Sequence, residues 1–161
     1  MAGNEDPERL ILPEPLHLGY VTRDIERTKR NLQKMLGLES FEMRSPDYFN
    51  KTYRGEPGDF KTQLAVCKVG TAVYELIQVL QGRTVYDEFL KEHGEGIHHL
   101  GFEISNLDRW LKAYEKIGVK VAMSGERAAM PGESGGLKFV YLDTPEIMVE
   151  LIARAPAGKA V

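Results

Sequence analysis

Two histidines and two glutamates recur at matching places along this chain and could together bind a divalent metal ion. His17 opens the segment His-Leu-Gly-Tyr-Val, and His99 opens the similar segment His-Leu-Gly-Phe-Glu in the second half. Glu75 and Glu150 each stand directly before Leu-Ile. Imidazole nitrogens and carboxylate oxygens suit Zn, Mn, Co, Ni and Fe(II), so these residue types indicate a metal site without choosing the metal.

The similarity between the two halves extends beyond these residues and predicts an internal duplication. The further matches are Asp24-Ile25 with Asn106-Leu107, and Leu36-Gly37-Leu38 with Ile117-Gly118-Val119. The spacing between matches is smaller in the second half, so we expect shorter loops there.

Each half has the pattern of a strand, a helix and three further strands, which predicts two tandem βαβββ modules. In the first half we expect a helix capped by Asp24 and ended by Gly37, because Asp favours the first position of a helix and Gly the residue after its end. The predicted strands cover residues 16–22, 38–43, 62–69 and 72–79. The segment from 45 to 60, rich in Gly, Pro and aromatic residues, is predicted to be a long loop.

The second half predicts the same order of elements after a short connecting helix. That helix is indicated by Val85, Phe89 and Leu90, and it is followed by His93-Gly94-Glu95-Gly96. The later helix is predicted over residues 107–117, and the strands over 97–104, 119–124, 137–142 and 147–152. The predicted organisation is an arm at 1–14, a module at 15–83, a linker at 84–96, a module at 97–154 and a tail at 155–161. The fold class is α+β, with a curved mixed sheet around a central cleft.

The alternation of side chains along a strand predicts that both histidines face away from their helix. Leu16, Leu18 and Tyr20 share one face of the first strand, which leaves His17 on the other face. The same alternation places His99 opposite Leu100, Phe102 and Ile104, places Glu75 opposite Tyr74 and Leu76, and places Glu150 opposite Val149 and Leu151.

A carboxylate among apolar strand neighbours needs a compensating cation, because burying it alone costs several kcal/mol. Two modules that face each other bring two imidazoles and two carboxylates to one point. His17, Glu75, His99 and Glu150 are therefore the expected metal ligands.

Several other polar residues receive lesser roles. The alternation of side chains along the strand places His98 on the face that packs against the helix, where it is expected to be structural. His93 is expected to lie in a loop. Gln63 could orient a substrate or face the surface. Gly19 and Gly101, beside the histidines, are expected to leave space for substrate or to mark bulges.

Composition excludes several classes of protein. The 161 residues suit one compact domain, with 42% hydrophobic and 28% charged residues. The net charge of -3 has no clustered basic stretch, so nucleic acid is not an expected partner. One cysteine, no visible secretory signal and no long apolar segment predict a cytoplasmic protein without membrane association.

From residue 16 to residue 152 the chain resembles the vicinal oxygen chelate superfamily. The segment Phe89-Leu90-Lys91-Glu92-His93-Gly94-Glu95-Gly96-Ile97-His98-His99-Leu100 looks closely like the linker and fifth strand of methylmalonyl-CoA epimerases. By motif, the resemblance implies metal ligands at His17, Glu75, His99 and Glu150. Such epimerases usually carry His-Pro-Lys and Gly-Gly before the last ligand strand, whereas this chain has Leu-Asp-Thr-Pro-Glu-Ile.

The resemblance implies an isomerase that removes a proton next to a carbonyl through a metal-stabilised enediolate. Glu150 or Glu75 is then expected to act as the catalytic base by leaving the metal transiently. A methylmalonyl-CoA epimerase-like activity on an acyl-CoA is the first expectation, and a glyoxalase I-like lactoylglutathione lyase acting on a thiol adduct is the second. A third possibility, of another class, is a non-catalytic binding protein of the bleomycin-resistance type. Relatives of this kind are often homodimers, which leaves a homodimer open here.

Overall fold

The computed structural model describes residues 10–156, so residues 1–9 of the predicted arm and 157–161 of the predicted tail lie outside the described residues. The described part contains three helices and one ten-stranded mixed sheet. The predicted α+β class with a curved mixed sheet around a central cleft is confirmed.

The helices begin and end where local capping signals place them. Helix α1 spans Ile25–Leu36: the Asp24 carboxylate accepts a hydrogen bond from the Arg27 amide, and Gly37 follows in the left-handed conformation. Helix α2 spans Val85–Glu92 and starts with a capping box between Thr84 and Asp87. Helix α3 spans Leu107–Lys116 after an Asn106 cap.

Most strands lie within two residues of their predicted positions. The strands in chain order are β1 His17–Val21, β2 Glu42–Arg44, β3 Phe49–Tyr53, β4 Glu56–Pro57, β5 Lys61–Val69, β6 Ala72–Gln81, β7 Gly96–Glu103, β8 Val121–Arg127, β9 Leu137–Leu142 and β10 Met148–Arg154.

The first half contains an additional hairpin that the sequence prediction missed. Residues 45–60 were expected to be loop, but they include β3 and β4, and β2 begins only at Glu42 instead of residue 38. Strand β3 pairs with β8, which belongs to the second half of the chain. Because this pairing is between distant segments, the local Gly and Pro content of residues 45–60 gives no sign of it.

The strand order β2-β5-β6-β1-β7-β10-β9-β8-β3-β4 requires the sheet to curl. Strands β2 and β3 lie near opposite edges, eight spacings of about 4.8 Å apart in a flat sheet, or about 38 Å. Only residues 45–48 connect them, and these can span at most about 18 Å. The sheet therefore bends around a cleft, and residues 45–48 cross its opening.

The core is divided by this curled sheet into an inner and an outer part. Inside the curl, Val21, Ile77 and Ile152 pack with aromatic residues that include Phe60 and Phe139. Outside it, α1 covers a small cluster around Leu76, and α3 packs Leu107, Trp110, Leu111 and Tyr114 against the outer face of β7, β9 and β10.

Two expected side-chain directions were wrong. Leu16 precedes β1 and lines the cleft instead of the helix face. His98 does not reach α3, because β7 has a bulge: Gly19 pairs with His99 and Tyr20 pairs with Ile97, which leaves His98 as an extra residue. Both His98 and His99 are consequently buried, at 4% and 0% exposure, and His98 packs against α2.

Candidate metal centre

The four central strands, β6, β1, β7 and β10, carry two parallel rows of residues related by the duplication. In one row His17 on β1 faces Gly101 on β7, which faces Glu150 on β10. In the other row His99 on β7 faces Gly19 on β1, which faces Glu75 on β6. Each histidine therefore has a glycine beside it and a glutamate one strand further on.

The two glycines make room for the two imidazole rings. A Cβ added at Gly19 would lie 1.9 Å from Cε1 of His99, and one at Gly101 would lie 2.3 Å from Cε1 of His17. Any other residue would displace the ring. The space that we expected these glycines to keep for substrate is occupied by the histidines themselves.

The structure brings all four predicted ligands together, and we call them the His/Glu cluster. One donor atom from each of His17, Glu75, His99 and Glu150 lies within 4.8 Å of the others. The Nε2 atoms of the two histidines are 3.1 Å apart. Glu150 Oε2 lies 2.8 Å from Nε2 of His17 and 3.3 Å from Nε2 of His99, and Glu75 Oε2 lies 3.6 Å from Nε2 of His17.

The four short separations, from 2.8 to 3.6 Å, fit a single bound ion. Donor atoms about 2.0–2.2 Å from one metal lie about 2.8–3.6 Å apart in tetrahedral or neighbouring octahedral positions. Glu150 Oε2 is buried, and despite the nearby rings no donor is aligned to hydrogen bond with it. Two imidazole nitrogens that face each other beside such an oxygen are better satisfied by a cation than by one another.

The electrostatics of the cluster favour positive charge at its centre. Burial disfavours an imidazolium at His17, but the carboxylates of Glu75 and Glu150 outweigh this and raise its pKa to about 9. Burial likewise opposes charge on Glu150, but the adjacent His17 and His99 hold the pKa of its carboxyl well below the usual range. The two carboxylates thus favour a proton on His17 when no cation is bound.

Two tyrosines and His98 form a buried polar chain next to the cluster. The Tyr86 hydroxyl donates to the Tyr141 oxygen at 2.8 Å, and that oxygen lies 3.2 Å from Nε2 of His99. Burial, followed by the charge of Glu150, raises the pKa of both hydroxyls well above their usual value, so both keep their protons. Burial, and then His99, lower the pKa of His98 to about 3, so that ring is neutral.

His17, Glu75 and Glu150 of the cluster line the central cleft, which has a volume of about 420 Å³. Tyr48, from the segment that crosses the opening, packs its ring 5.0 Å from that of Phe139. Elsewhere in the lining of the cleft, Arg127 makes a bidentate ion pair with Glu133, which also contacts Arg154.

Four further residues that line the cleft were not predicted from the sequence: Tyr48, Tyr86, Tyr141 and Arg127. No local motif marks them, since each is brought to the cleft by long-range strand or helix packing. Gln63 is engaged elsewhere: its amide donates to the Arg44 carbonyl at 2.9 Å and accepts from the Ser45 hydroxyl at 3.0 Å. It thereby fixes the start of the crossing segment.

Among residues 10–156, no helix combines the length and apolar character that a membrane crossing requires.

The family model of the Glyoxalase/Bleomycin resistance protein/Dioxygenase superfamily matches residues 16–141. No curated protein is close enough in sequence to count as a match.

Solved structures with this fold include several enzymes. A variant of Streptomyces coelicolor methylmalonyl-CoA epimerase in complex with 2-nitronate-propionyl-CoA is 20% identical, with a TM-score of 0.59 over 90% of this chain and 99% of that chain. The epimerase from Mycobacterium tuberculosis is also 20% identical, with a TM-score of 0.51 over 91% and 94%. A 4-hydroxymandelate synthase variant from Streptomyces coelicolor is 16% identical, with a TM-score of 0.59 over 92% of this chain and 51% of that chain.

Proposed function

Because this chain belongs to the Glyoxalase/Bleomycin resistance protein/Dioxygenase superfamily, we propose that it is a divalent-metal-dependent isomerase that removes a proton next to a carbonyl group. The activity we put first is that of a methylmalonyl-CoA epimerase. The observation that carries the proposal is the convergence of two imidazoles and two carboxylates, within 4.8 Å of one another, in the central cleft.

His17, Glu75, His99 and Glu150 would hold the metal. When bound, a divalent ion supplies Lewis-acid stabilisation for the negative charge that develops on the substrate oxygen as the proton leaves. The chain itself provides the ligands, a base and the cleft that they line. The ligand types leave Zn, Co, Ni, Mn and Fe(II) as candidates.

Glu75 is the better candidate for the base, although both glutamates belong to the cluster. Glu150 is 8% exposed and is held between two imidazoles at 2.8 and 3.3 Å. Glu75 is 18% exposed, and its single contact within the cluster, 3.6 Å to His17, is long. A carboxylate that is less tightly held can leave the metal and accept a proton from the substrate.

The hydroxyl of Tyr141 is placed to donate to a substrate oxygen. It accepts from Tyr86, so its own proton is available. If Nε2 of His99 binds the metal, that nitrogen has no lone pair left for Tyr141, and the hydroxyl can turn towards the substrate. Such a donor stabilises negative charge that develops during the reaction.

The substrate is proposed to be a small acyl-CoA or thiol adduct. Support for an acyl-CoA comes from the structural neighbours that contain a bound CoA ester. Those neighbours are only 19% and 20% identical in sequence to this chain, so they share its fold alone. Lactoylglutathione lyase activity is the second candidate. The two acidic donors, Glu75 and Glu150, favour this activity, because the set of predicted metal ligands resembles that of glyoxalase I.

A direct test combines metal analysis with two assays on one purified sample. After mild dialysis we expect about one divalent ion per chain, exchange of the substrate α-proton in methylmalonyl-CoA, and weaker or no isomerisation of the methylglyoxal–glutathione adduct. The reverse ratio of activities would favour the lyase. A protein that retains no metal and turns over neither substrate would point to a binding protein of the bleomycin-resistance type.

The matched variants for this test are His99→Ala and His93→Ala. His99 belongs to the cluster, whereas the His93 side chain is 63% exposed. We expect His99→Ala to lose both metal and activity and His93→Ala to keep both. Equal metal retention in the two variants would contradict the assignment of His99.

A further inference from the structure

The bulge in β7 brings the rings of two consecutive histidines into contact. Nδ1 of His98 lies 3.0 Å from Nδ1 of His99, a hydrogen-bond distance, and both residues are buried. In a regular strand consecutive side chains point to opposite faces and could not meet in this way. The contact therefore depends on the extra residue that the bulge accommodates.

Only one of these two nitrogens can carry the proton of the hydrogen bond. Nε2 of His99 points into the His/Glu cluster, 3.1 Å from Nε2 of His17 and 3.3 Å from Glu150. To bind a cation there, His99 must keep Nε2 unprotonated and carry its single proton on Nδ1. His98 must then accept through Nδ1.

The surroundings of His98 favour that arrangement. Its ring packs edge-on against Tyr86 and Phe89 of α2, with ring centroids 5.2 and 5.1 Å away. The backbone of Val85, at the start of the same helix, is a further hydrogen-bonding group beside the ring and raises its pKa. A proton on the Nε2 side of the ring leaves Nδ1 free as an acceptor.

We propose that His98 is a positioning residue that accepts the Nδ1 proton of His99 and so holds the Nε2 lone pair of His99 towards the His/Glu cluster. This inference rests on the proposed metal site. It also breaks the symmetry of the duplication, because the residue before His17 is Leu16, which has no acceptor. Helix α2, through His98, thus supports one of the two histidine ligands.

Two variants at position 98 distinguish the loss of the hydrogen-bond acceptor from the loss of side-chain packing. His98→Leu fills much of the space but removes the acceptor, whereas His98→Asn keeps an oxygen close to the place of Nδ1. Residues that orient a metal ligand typically contribute about 10- to 100-fold to metal affinity. We expect a loss of this size for Co²⁺ in His98→Leu and a much smaller loss in His98→Asn, with both proteins folded by circular dichroism.

A measurement on the unaltered protein covers the case in which a variant does not fold. Long-range ¹H–¹⁵N spectra of the zinc-loaded protein should show His99 protonated at Nδ1 and His98 protonated at Nε2. A proton on Nδ1 of His98, or equal Co²⁺ affinity in the native protein and a folded His98→Leu variant, would overturn the role of His98 alone. Failure of the native protein to bind Co²⁺ or Zn²⁺ would overturn the metal proposal and, with it, this one.

Discussion

The imidazole of His17 lies directly over Gly101 on the neighbouring strand, so that a Cβ at residue 101 would be 2.3 Å from Cε1 of the ring. This relationship couples the two halves of the chain, because the glycine of one half determines where the histidine of the other can lie. The same relationship holds between His99 and Gly19.

Replacing Gly101 with Ala should displace His17 and weaken binding of a divalent ion by at least about tenfold, as loss of ligand orientation typically does. Gly96→Ala is the matched control on the same strand, because its nearest neighbour, Phe89, would be 3.7 Å away in ordinary contact. Isothermal titration with Co²⁺ measures both. Equal affinities in the two variants would show that the ring does not need the space.

The two glutamates of the cluster should respond differently to the same change. We expect Glu75→Gln to retain metal but lose proton exchange at the substrate, because an amide can still coordinate weakly but cannot act as a base. Glu150→Gln should lose most of the metal, since Glu150 is the buried donor next to both imidazoles. Metal content and exchange rate distinguish the two effects, and the opposite pattern would make Glu150 the base.

Tyr141→Phe should lower kcat by about 100-fold, the lower end of the range for loss of a donor to developing charge. The metal content should not change, because the hydroxyl is not among the donors of the cluster. Tyr114→Phe on α3 is the control, since Tyr114 packs in the outer cluster away from the cleft. A loss confined to KM, or none at all, would exclude the proposed hydrogen bond.

Metal binding should depend on pH through His17, whose pKa is raised to about 9 in the metal-free protein. This interaction stabilises the metal-free fold below pH 6.5 and is lost as pH rises through 9. Because the ion must displace the proton, affinity should rise about tenfold per pH unit between about pH 6.5 and 9, with release of about one proton. Titrations in buffers of different ionisation enthalpy count that proton, and a pH-independent affinity would contradict the prediction.

The ion pair between Arg127 and Glu133 in the cleft lining should contribute to stability at neutral pH. Hydrogen bonds from Arg127 lower the pKa of Glu133 to about 2. A depressed carboxyl pKa stabilises the fold above about pH 4.5, and this contribution is lost as pH falls towards 2. Glu133→Gln should therefore cost roughly 1–3 kcal/mol in urea unfolding at pH 7, and the difference should shrink below pH 4.

The control for this prediction is Glu103→Gln. Glu103 pairs with Arg154, but its side chain is 45% exposed, so we expect a change below about 0.5 kcal/mol. Equal costs for the two substitutions would mean that the burial of Arg127 adds nothing to its pairing with Glu133.

The sequence alone determined the duplication, the three helices and the facing of the four cluster residues. These features are local: the Asp24 cap, Gly37 after the helix, and the alternation around His17 and Glu150 are all encoded within a few neighbouring residues. The repeated His and Glu positions then identified the candidate ligands, since equivalent places in two copies of a module must lie in equivalent surroundings.

Only the tertiary structure decided where β3 pairs, that His98 reaches His99, and that Tyr141 lies beside the cluster. Each depends on contacts between segments distant in the chain. The pairing of β3 with β8 follows from the curl of the whole sheet, and the bulge at His98 from the register between β1 and β7. A prediction from local periodicity assumes that strands are regular. It cannot detect a bulge, or a partner strand that is determined by packing over the entire sheet.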